Sequence, residues 1–319
     1  EERNFPINNL AFLASSKSKG KKIEFQNKSI EVENLEKFKF DKFDVALFSP
    51  GATISSKFAP IAANSGCLVI DNTSYFRMHK DVPLIVPEIN ANSLDTYFKN
   101  KNRKNIISNP NCSTIQMVVA LKPLHDLAII NRVVVSTYQS VSGKGKDAMD
   151  ELFEQTKGIF TNNNVQKKIF TKQIAFNVIP HIDSFMEDRY TKEEWKMTVE
   201  TKKILDSNIS LSATCVRVPV FVGHSESLNV EFNTEVNAKK IRECLEKAPG
   251  CKVVDETKDG GYVTPVESSG DFVTYISRIR DDQTQKNSIN MWVVSDNLLK
   301  GAALNAVQIA NVLIKKYIN

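Results

Sequence analysis

Asn105-Ile106-Ile107-Ser108-Asn109-Pro110-Asn111-Cys112-Ser113-Thr114-Ile115-Gln116-Met117-Val118-Val119-Ala120-Leu121 carries a strand, a turn and a helix start in one run. Ile106-Ile107 reads as a strand core, Pro110 ends it, and the Ser/Thr/Gln residues after Cys112 open an amphipathic helix. A thiol at that point faces unpaired first-turn N–H groups and the positive end of the helix dipole, which favours its thiolate. The competing reading is a small buried hydrophobe. The Asn-Pro-Asn-Cys-Ser-Thr setting favours the nucleophile.

On the N-terminal side, apolar strands alternate with helices. Leu10 to Ala14 is a short apolar run that ends in a polar loop over 15–20. Asp44–Phe48 reads as a buried strand ending at Ser49-Pro50-Gly51. A helix of about a dozen residues follows, stopped by Gly66 at a C-cap position. Cys67–Asp71 and Pro83–Pro87 are further strands. Such a pattern predicts a parallel sheet covered on both faces. On the C-terminal side, strands are predicted over 132–138, 211–222, 226–234, 272–280 and 288–295. Helices are expected near 146–157, 191–205 and 238–247, with a last amphipathic helix over 301–317. Strands with fewer intervening helices predict an α+β domain with a largely antiparallel or mixed sheet.

A chain of 319 residues has room for two cores, and 41% hydrophobic with 25% charged residues is ordinary for a globular protein. The net charge of +5, from 42 basic and 37 acidic residues, is spread out. Its densest stretches, 19–22 and 99–104, read as loop coats, so no nucleic-acid partner is expected, although the excess would help draw in anionic ligands. Five cysteines without a C-x-x-C pair argue against a disulfide framework or a metal site, and for a reducing, cytoplasmic setting. No stretch is apolar enough to span a bilayer, no signal peptide is visible, and no membrane partner is expected.

The segment 108–121 resembles the active-site segment of bacterial-type aspartate-semialdehyde dehydrogenases. Further stretches carry the same resemblance in the same order: Asp71-Asn72-Thr73-Ser74-Tyr75-Phe76-Arg77, 135–143 (Val-Ser-Thr-Tyr-Gln-Ser-Val-Ser-Gly), Ala213-Thr214-Cys215-Val216-Arg217-Val218-Pro219, Gly223-His224-Ser225-Glu226-Ser227, and 291–303. The resemblance implies a reversible, phosphate-dependent oxidation of aspartate 4-semialdehyde to 4-aspartyl phosphate with NADP. That reaction belongs to the biosynthesis of lysine and diaminopimelate, methionine and threonine. It also implies a small-molecule substrate, inorganic phosphate and a homodimer. The implied architecture is α/β: a Rossmann-type dinucleotide-binding domain over 1–112 and 297–319, and an α+β catalytic and dimerisation domain over 113–296.

By the same resemblance Cys112 is the nucleophile that forms a thioacyl intermediate, His224 the acid/base, and Gln139 the group orienting substrate. Arg217 binds the substrate carboxylate in bidentate fashion, as Arg rather than Lys does well. Ideal alternation would place Arg217 and His224, seven apart, on opposite strand faces, so their convergence needs a twist or a strand end near Val222-Gly223. Asn111 would hydrogen-bond the bound acyl or phosphate group. Glu193 and Lys196 share a helix face at i, i+3; on residue types alone they read as a surface ion pair. By resemblance Glu193 binds the substrate amino group, with Glu194 the competing carboxylate, while Lys196 and Arg77 hold phosphate. Ser15, Lys17 and Ser18 match the site of the NADP 2′-phosphate, with Lys17 in place of the usual Arg. Ser49, Gly51, Ser142, Gly143 and Asn297 would complete the cofactor pocket.

Family members begin with a strand and a Gly-x-x-Gly-x-x-Gly turn that this sequence lacks, about 20 residues by the usual length of such a unit. An incomplete sequence is the expectation, and intact-mass measurement of the source protein tests it. A second expectation of another class is a catalytically silent relative acting as a binding or scaffolding protein.

Overall fold

The computed structural model describes residues 3–163 and 166–318. The chain forms two compact units, Glu1–Ile85, Ala91–Asn109 and Ala306–Asn319 in one, Val86–Asn90 and Pro110–Asn305 in the other.

In the first unit, β1 (Phe12–Ala14), β2 (Lys22–Phe25) and β3 (Lys28–Asn34) make a sheet of order β1-β3-β2. Strands β2 and β3 form a hairpin in which Ile23, Phe25, Ile30 and Val32 alternate with polar residues. Its turn residues Gln26 and Asn27 both take left-handed backbone (φ 47° and 60°) without a glycine, and charged residues punctuate both strands. Strand β4 (Val45–Phe48), helix α1 (Ala52–Asn64), β5 (Leu68–Asp71), α2 (Pro87–Asn90), α3 (Ser93–Lys99) and β6 (Ile106–Ser108) follow; α2 belongs to the second unit. Strands β4, β5 and β6 lie side by side and parallel. Their residues alternate between two cores. Val69 and Ile106 join Phe58 and Ala62 of α1, whereas Leu68, Ile70 and Ile107 join Ile309 and Leu313 of the last helix. Gly66 sits just past α1 at φ 94°, as its C-cap reading requires.

The expected strand over 83–87 is reduced to one bridge, Leu84 to Ser108. Pro83 and Pro87 have no N–H to give a ladder, and Pro87 opens α2.

The second unit begins with α4 (Cys112–Leu127), β7 (Ile130–Gln139), α5 (Lys146–Phe160), α6 (Lys192–Ile204) and β8 (Ser210–Arg217). It continues through β9 (His224–Phe232), α7 (Ala238–Glu246), β10 (Cys251–Val253), α8 (Pro265–Ser268), β11 (Thr274–Asp281) and β12 (Ser288–Ser295). A π-helical turn, Leu299–Ala303, then leads into α9 (Leu304–Lys316). The mixed sheet has order β10-β11-β12-β9-β7-β8, parallel at its two outer pairs and antiparallel between. Met117 and Leu121 of α4, Met197 of α6 and Ile241 of α7 close its main core.

Two boundaries differ from expectation. The strand expected over 211–222 stops at Arg217. The chain then crosses the end of β7, with Val141 N–H donating to Val220 O and Ser142 N–H to Phe221 O, and enters β9 at His224. Compactness also places Cys112 and 297–305 with the second unit rather than the first. A Cβ on Gly301 would stand 2.9 Å from Cys112 Cβ, so these two segments pack directly together.

Candidate active site

Cys112 is the first residue of α4, half-buried and outside any disulfide. Asn111 is its N-cap: the side-chain oxygen accepts from Ser113 N–H (3.0 Å) and Thr114 N–H (3.3 Å). The Asn111 amide donates to Glu193 Oε1 at 2.9 Å, and its backbone N–H to Glu200 at 2.7 Å. Asn111 therefore fixes the helix that begins at Cys112 to α6, a role that the sequence reading did not assign to it. Elsewhere, burial pushes the thiols of Cys67 and Cys251 up to about 12 and that of Cys215 up further, as for inert core residues.

The sheet brings three further groups to this helix start. Gln139 ends β7, and Arg217, its register partner, ends β8. His224 begins β9 on the other side of β7. The crossover thus solves the alternation problem, because Arg217 and His224 sit on different strands flanking Gln139. Gly223 makes the entry to β9 with φ 95° and has Pro265 against it, so a side chain would be strained twice over. Arg217 and His224 meet at Gly143, where an added Cβ would lie 3.2 Å from both Arg217 Nη1 and His224 Nε2.

His224 is fully buried. Its Nδ1 accepts from Ser140 N–H at 3.1 Å, which places the proton of the neutral ring on Nε2. Nε2 is buried and has no hydrogen-bond partner among the described residues. Burial, and then the Arg217 charge, holds the imidazole pKa well below its ordinary value. Arg217 donates to Ser140 O at 2.6 Å; burial lowers its pKa, while the charges of Glu193 and Cys112 act in the opposite direction.

Glu193 and Glu194 part ways at the start of α6. Glu194 closes a capping box with Thr191 and accepts from Cys215 N–H, which commits it to structure. Glu193 turns to the site, accepting from Asn111, from Gln139 Nε2 at 3.1 Å and from Lys196 at 3.2 Å. Burial works to raise its pKa, but Lys196 and the two amides outweigh it and the net shift is downward. Lys196 also pairs with Asp183 at 2.6 Å. Burial opposes its charge, these two carboxylates outweigh burial, and its pKa rises.

The side chains of Ser142 and Asn297, two residues expected in a cofactor pocket, hydrogen-bond to the groups that surround His224. Asn297 Oδ1 accepts from Ser140 Oγ, Ser142 Oγ and Gly223 N–H, and its amide donates back to Ser142. Ser15, Lys17, Ser18, Ser49, Gly51 and Arg77 lie in the first unit. Ser18 N–H closes a turn onto Ser15 O just past β1, leaving Lys17 exposed. Gly51, with φ 90° and nothing within 4 Å of an added Cβ, follows β4. Arg77 is buried, donating to the carbonyls of Asn109 (2.9 Å) and Asn72 (2.8 Å).

Sequence reasoning missed Ser140, Glu200 and Gln116. Each had a positional signal: Ser140 follows Gln139, Glu200 lies seven residues beyond Glu193 on one helix face, and Gln116 is one turn after Cys112.

The second unit thus holds a helix-start thiol together with a buried imidazole and guanidinium at the ends of strands of its mixed sheet. Residues 1–97 match the NAD-binding domain of semialdehyde dehydrogenases, and residues 121–300 match their dimerisation domain. An aspartate-semialdehyde dehydrogenase of Rickettsia bellii is 50% identical over 317 residues, covering 99% of this chain and 93% of its own. A crystal structure of aspartate semialdehyde dehydrogenase II from Vibrio cholerae, complexed with ASA, superposes with a TM-score of 0.95 at 47% identity over 99% of this chain and 93% of that one. The Candida albicans enzyme with NADP gives 0.75 at 25% identity, over 97% of this chain and 91% of that one. The chain belongs to the aspartate-semialdehyde dehydrogenase family, a family of oxidoreductases.

Proposed function

We propose that the chain catalyses the reversible, phosphate-dependent oxidation of L-aspartate 4-semialdehyde to L-4-aspartyl phosphate, with NADP as hydride acceptor. The observation carrying this reading is the unpartnered Nε2 of buried His224, which meets Arg217 at Gly143. The Cys112 thiolate adds to the aldehyde carbon to give a tetrahedral hemithioacetal oxyanion, and His224 Nε2–H is the donor placed to hydrogen-bond that oxygen. NADP, when bound, supplies hydride acceptance; the carbon that loses hydride remains on Cys112 as a thioester. Attack by a phosphate oxygen on the thioester carbon then expels the thiolate, a good leaving group that is regenerated unchanged.

Arg217 binds the α-carboxylate through its fork, Glu193 the α-ammonium, and Gln139 orients the carbonyl. Glu193 suits its task because its carboxyl stays ionised. Asn111 serves by holding both Glu193 and the first turn of α4. Phosphate is assigned to Lys196 by its charge, and to Arg77 by the sequence resemblance alone. Ser15, Lys17, Ser18, Ser49 and Gly51 would hold NADP; an exposed cation and an open glycine beyond the ends of parallel strands fit an anionic dinucleotide. The relative solved with NADP favours that cofactor over NAD.

A homodimer is proposed from the dimerisation-domain match and from exposed Phe153, Phe160, Phe176 and Phe185 of the second unit. The product would feed biosynthesis of lysine and diaminopimelate, methionine and threonine in the cytoplasm. The test is NADPH formation from aspartate semialdehyde and NADP. Turnover that needs phosphate and vanishes in Cys112→Ser, with NADP binding retained, supports the reading. Phosphate-independent turnover, or substantial turnover by Cys112→Ser, refutes it.

A further inference from the structure

The register of the mixed sheet arranges its inner face in rows. Arg217 stands opposite Gln139, and His224 opposite Ser295. Two residues further into the sheet comes the row Cys215, Thr137, Glu226 and Val293, and beyond it the apolar row Ala213, Val135, Leu228 and Met291. Glu226 is therefore a carboxyl in the layer directly beneath the site, on the same strand face as His224. It is fully buried, and neither of its oxygens has a hydrogen-bond partner among the described residues. The proposed reaction has no use for it.

The amide of Gln116, one turn along α4 from Cys112, acts to lower the pKa of this carboxyl, but burial outweighs it and the net shift is well upward. Gln116 Nε2 donates to the His224 carbonyl at 3.3 Å. A carbonyl only accepts, so this bond fixes the amide's orientation and leaves Gln116 Oε1 as a second buried, unpartnered acceptor. The Glu226 oxygens and Gln116 Oε1 are thus buried acceptors without a donor among the described residues. A proton on Glu226 provides one, and an uncompensated anion there would be strongly disfavoured. Cys215 on β8 and Thr137 on β7 are its row neighbours; Thr137 donates its own hydroxyl to Gln139 Oε1 at 3.2 Å.

We propose that Glu226 is a positioning residue that acts as a neutral carboxylic acid, bracing with Gln116 the helix of Cys112 against the strand of His224. This deepens the dehydrogenase reading and rests on it for its kinetic arm. The test uses the full chain and three variants, Glu226→Gln, Glu226→Leu and Gln116→Leu. Turnover, the rate of Cys112 alkylation by iodoacetamide across pH, and the infrared carbonyl band of a protonated carboxyl are measured. Glu226→Leu is expected to lower kcat by about 10-fold or more, with KM within about twofold, and to change the pH profile of alkylation. Gln116→Leu should do the same from the other side of the brace, which keeps the idea testable if Glu226→Leu does not fold. Glu226→Gln, which keeps a neutral donor, should stay within about threefold of the parent while losing the infrared band.

Wild-type alkylation and kinetics in Glu226→Leu or Gln116→Leu would overturn the proposal. So would a Glu226→Gln as impaired as the Leu variant, or absence of the band in the parent at neutral pH. If the parent shows no dehydrogenase turnover at all, the function reading fails, while alkylation and infrared still decide the brace.

Discussion

Replacing Asn111 by alanine should unfasten the Cys112 helix at two points. Loss of the cap over Ser113 and Thr114 removes about 1 kcal/mol. Loss of the amide bond to ionised, buried Glu193 removes about 1.5–3 kcal/mol more, since hydrogen bonds to charged groups are the stronger kind. A total near 2.5–4 kcal/mol corresponds to a fall in Tm of about 5–15 °C for a unit of this size. The backbone bond from Asn111 N–H to Glu200 survives the change. Urea unfolding followed by circular dichroism measures the difference, and two companions divide it. Asn111→Ser keeps a capping oxygen but lacks the amide, so it should lose only the Glu193 share. Asn111→Asp keeps the cap but sets a carboxylate against Glu193, so it should be worse than serine at pH 7 and recover on mild acidification. An alanine variant within about 0.5 kcal/mol of the parent would refute the argument. A serine variant as stable as the parent would remove the Glu193 bond from it.

The Glu193–Lys196 pair predicts stability losses at both pH extremes. Glu193 holds its proton less tightly when folded, so its contribution is complete above 4.5 and falls away as pH drops through its lower folded value. Lys196 holds its proton more tightly, so its share is complete below 10.5 and fades as pH rises through its higher folded value. Lys196→Met should flatten both limbs of a Tm-against-pH curve; unchanged limbs would show that the pair is not their source. Gly301→Ala puts a methyl 2.9 Å from Cys112 Cβ and 3.3 Å from its Cα, where a helix backbone cannot yield, and kcat should fall about 100-fold. Parent-like kcat in that variant would mean that the π-helical turn moves freely. Lys17→Ala, at an exposed turn, should raise KM for NADP about 10-fold or more and leave that for NAD alone. Equal effects on the two cofactors would remove Lys17 from the 2′-phosphate.

Much of the fold is legible in local pattern. The parallel strands show as apolar runs, and Gly66 marks a helix end because its backbone is left-handed. The β2–β3 hairpin does alternate, with Ile23, Phe25, Ile30 and Val32 apolar between polar residues, but its Gln-Asn turn lacks the glycine that usually marks a two-residue hairpin loop. The helix-start cysteine was legible too, since a Pro turn followed by capping residues is written in consecutive positions.

What the sequence by itself determined is the set of elements and the presence of a thiol, an imidazole, a guanidinium and two neighbouring carboxylates. Only the tertiary structure decided how they are used. Glu193 and Glu194 are adjacent and chemically alike, and the turn of α6 sends one to the site and the other into a cap. Arg217 and His224 converge because the chain crosses β7 between them, a consequence of strand order that no spacing encodes. Asn297 and Ser142 became supports for His224, and Glu226 came to lie unpaired beneath it, through contacts made across long stretches of sequence. Local pattern reports backbone preference and burial; the direction of a polar side chain is set by partners that only folding brings near.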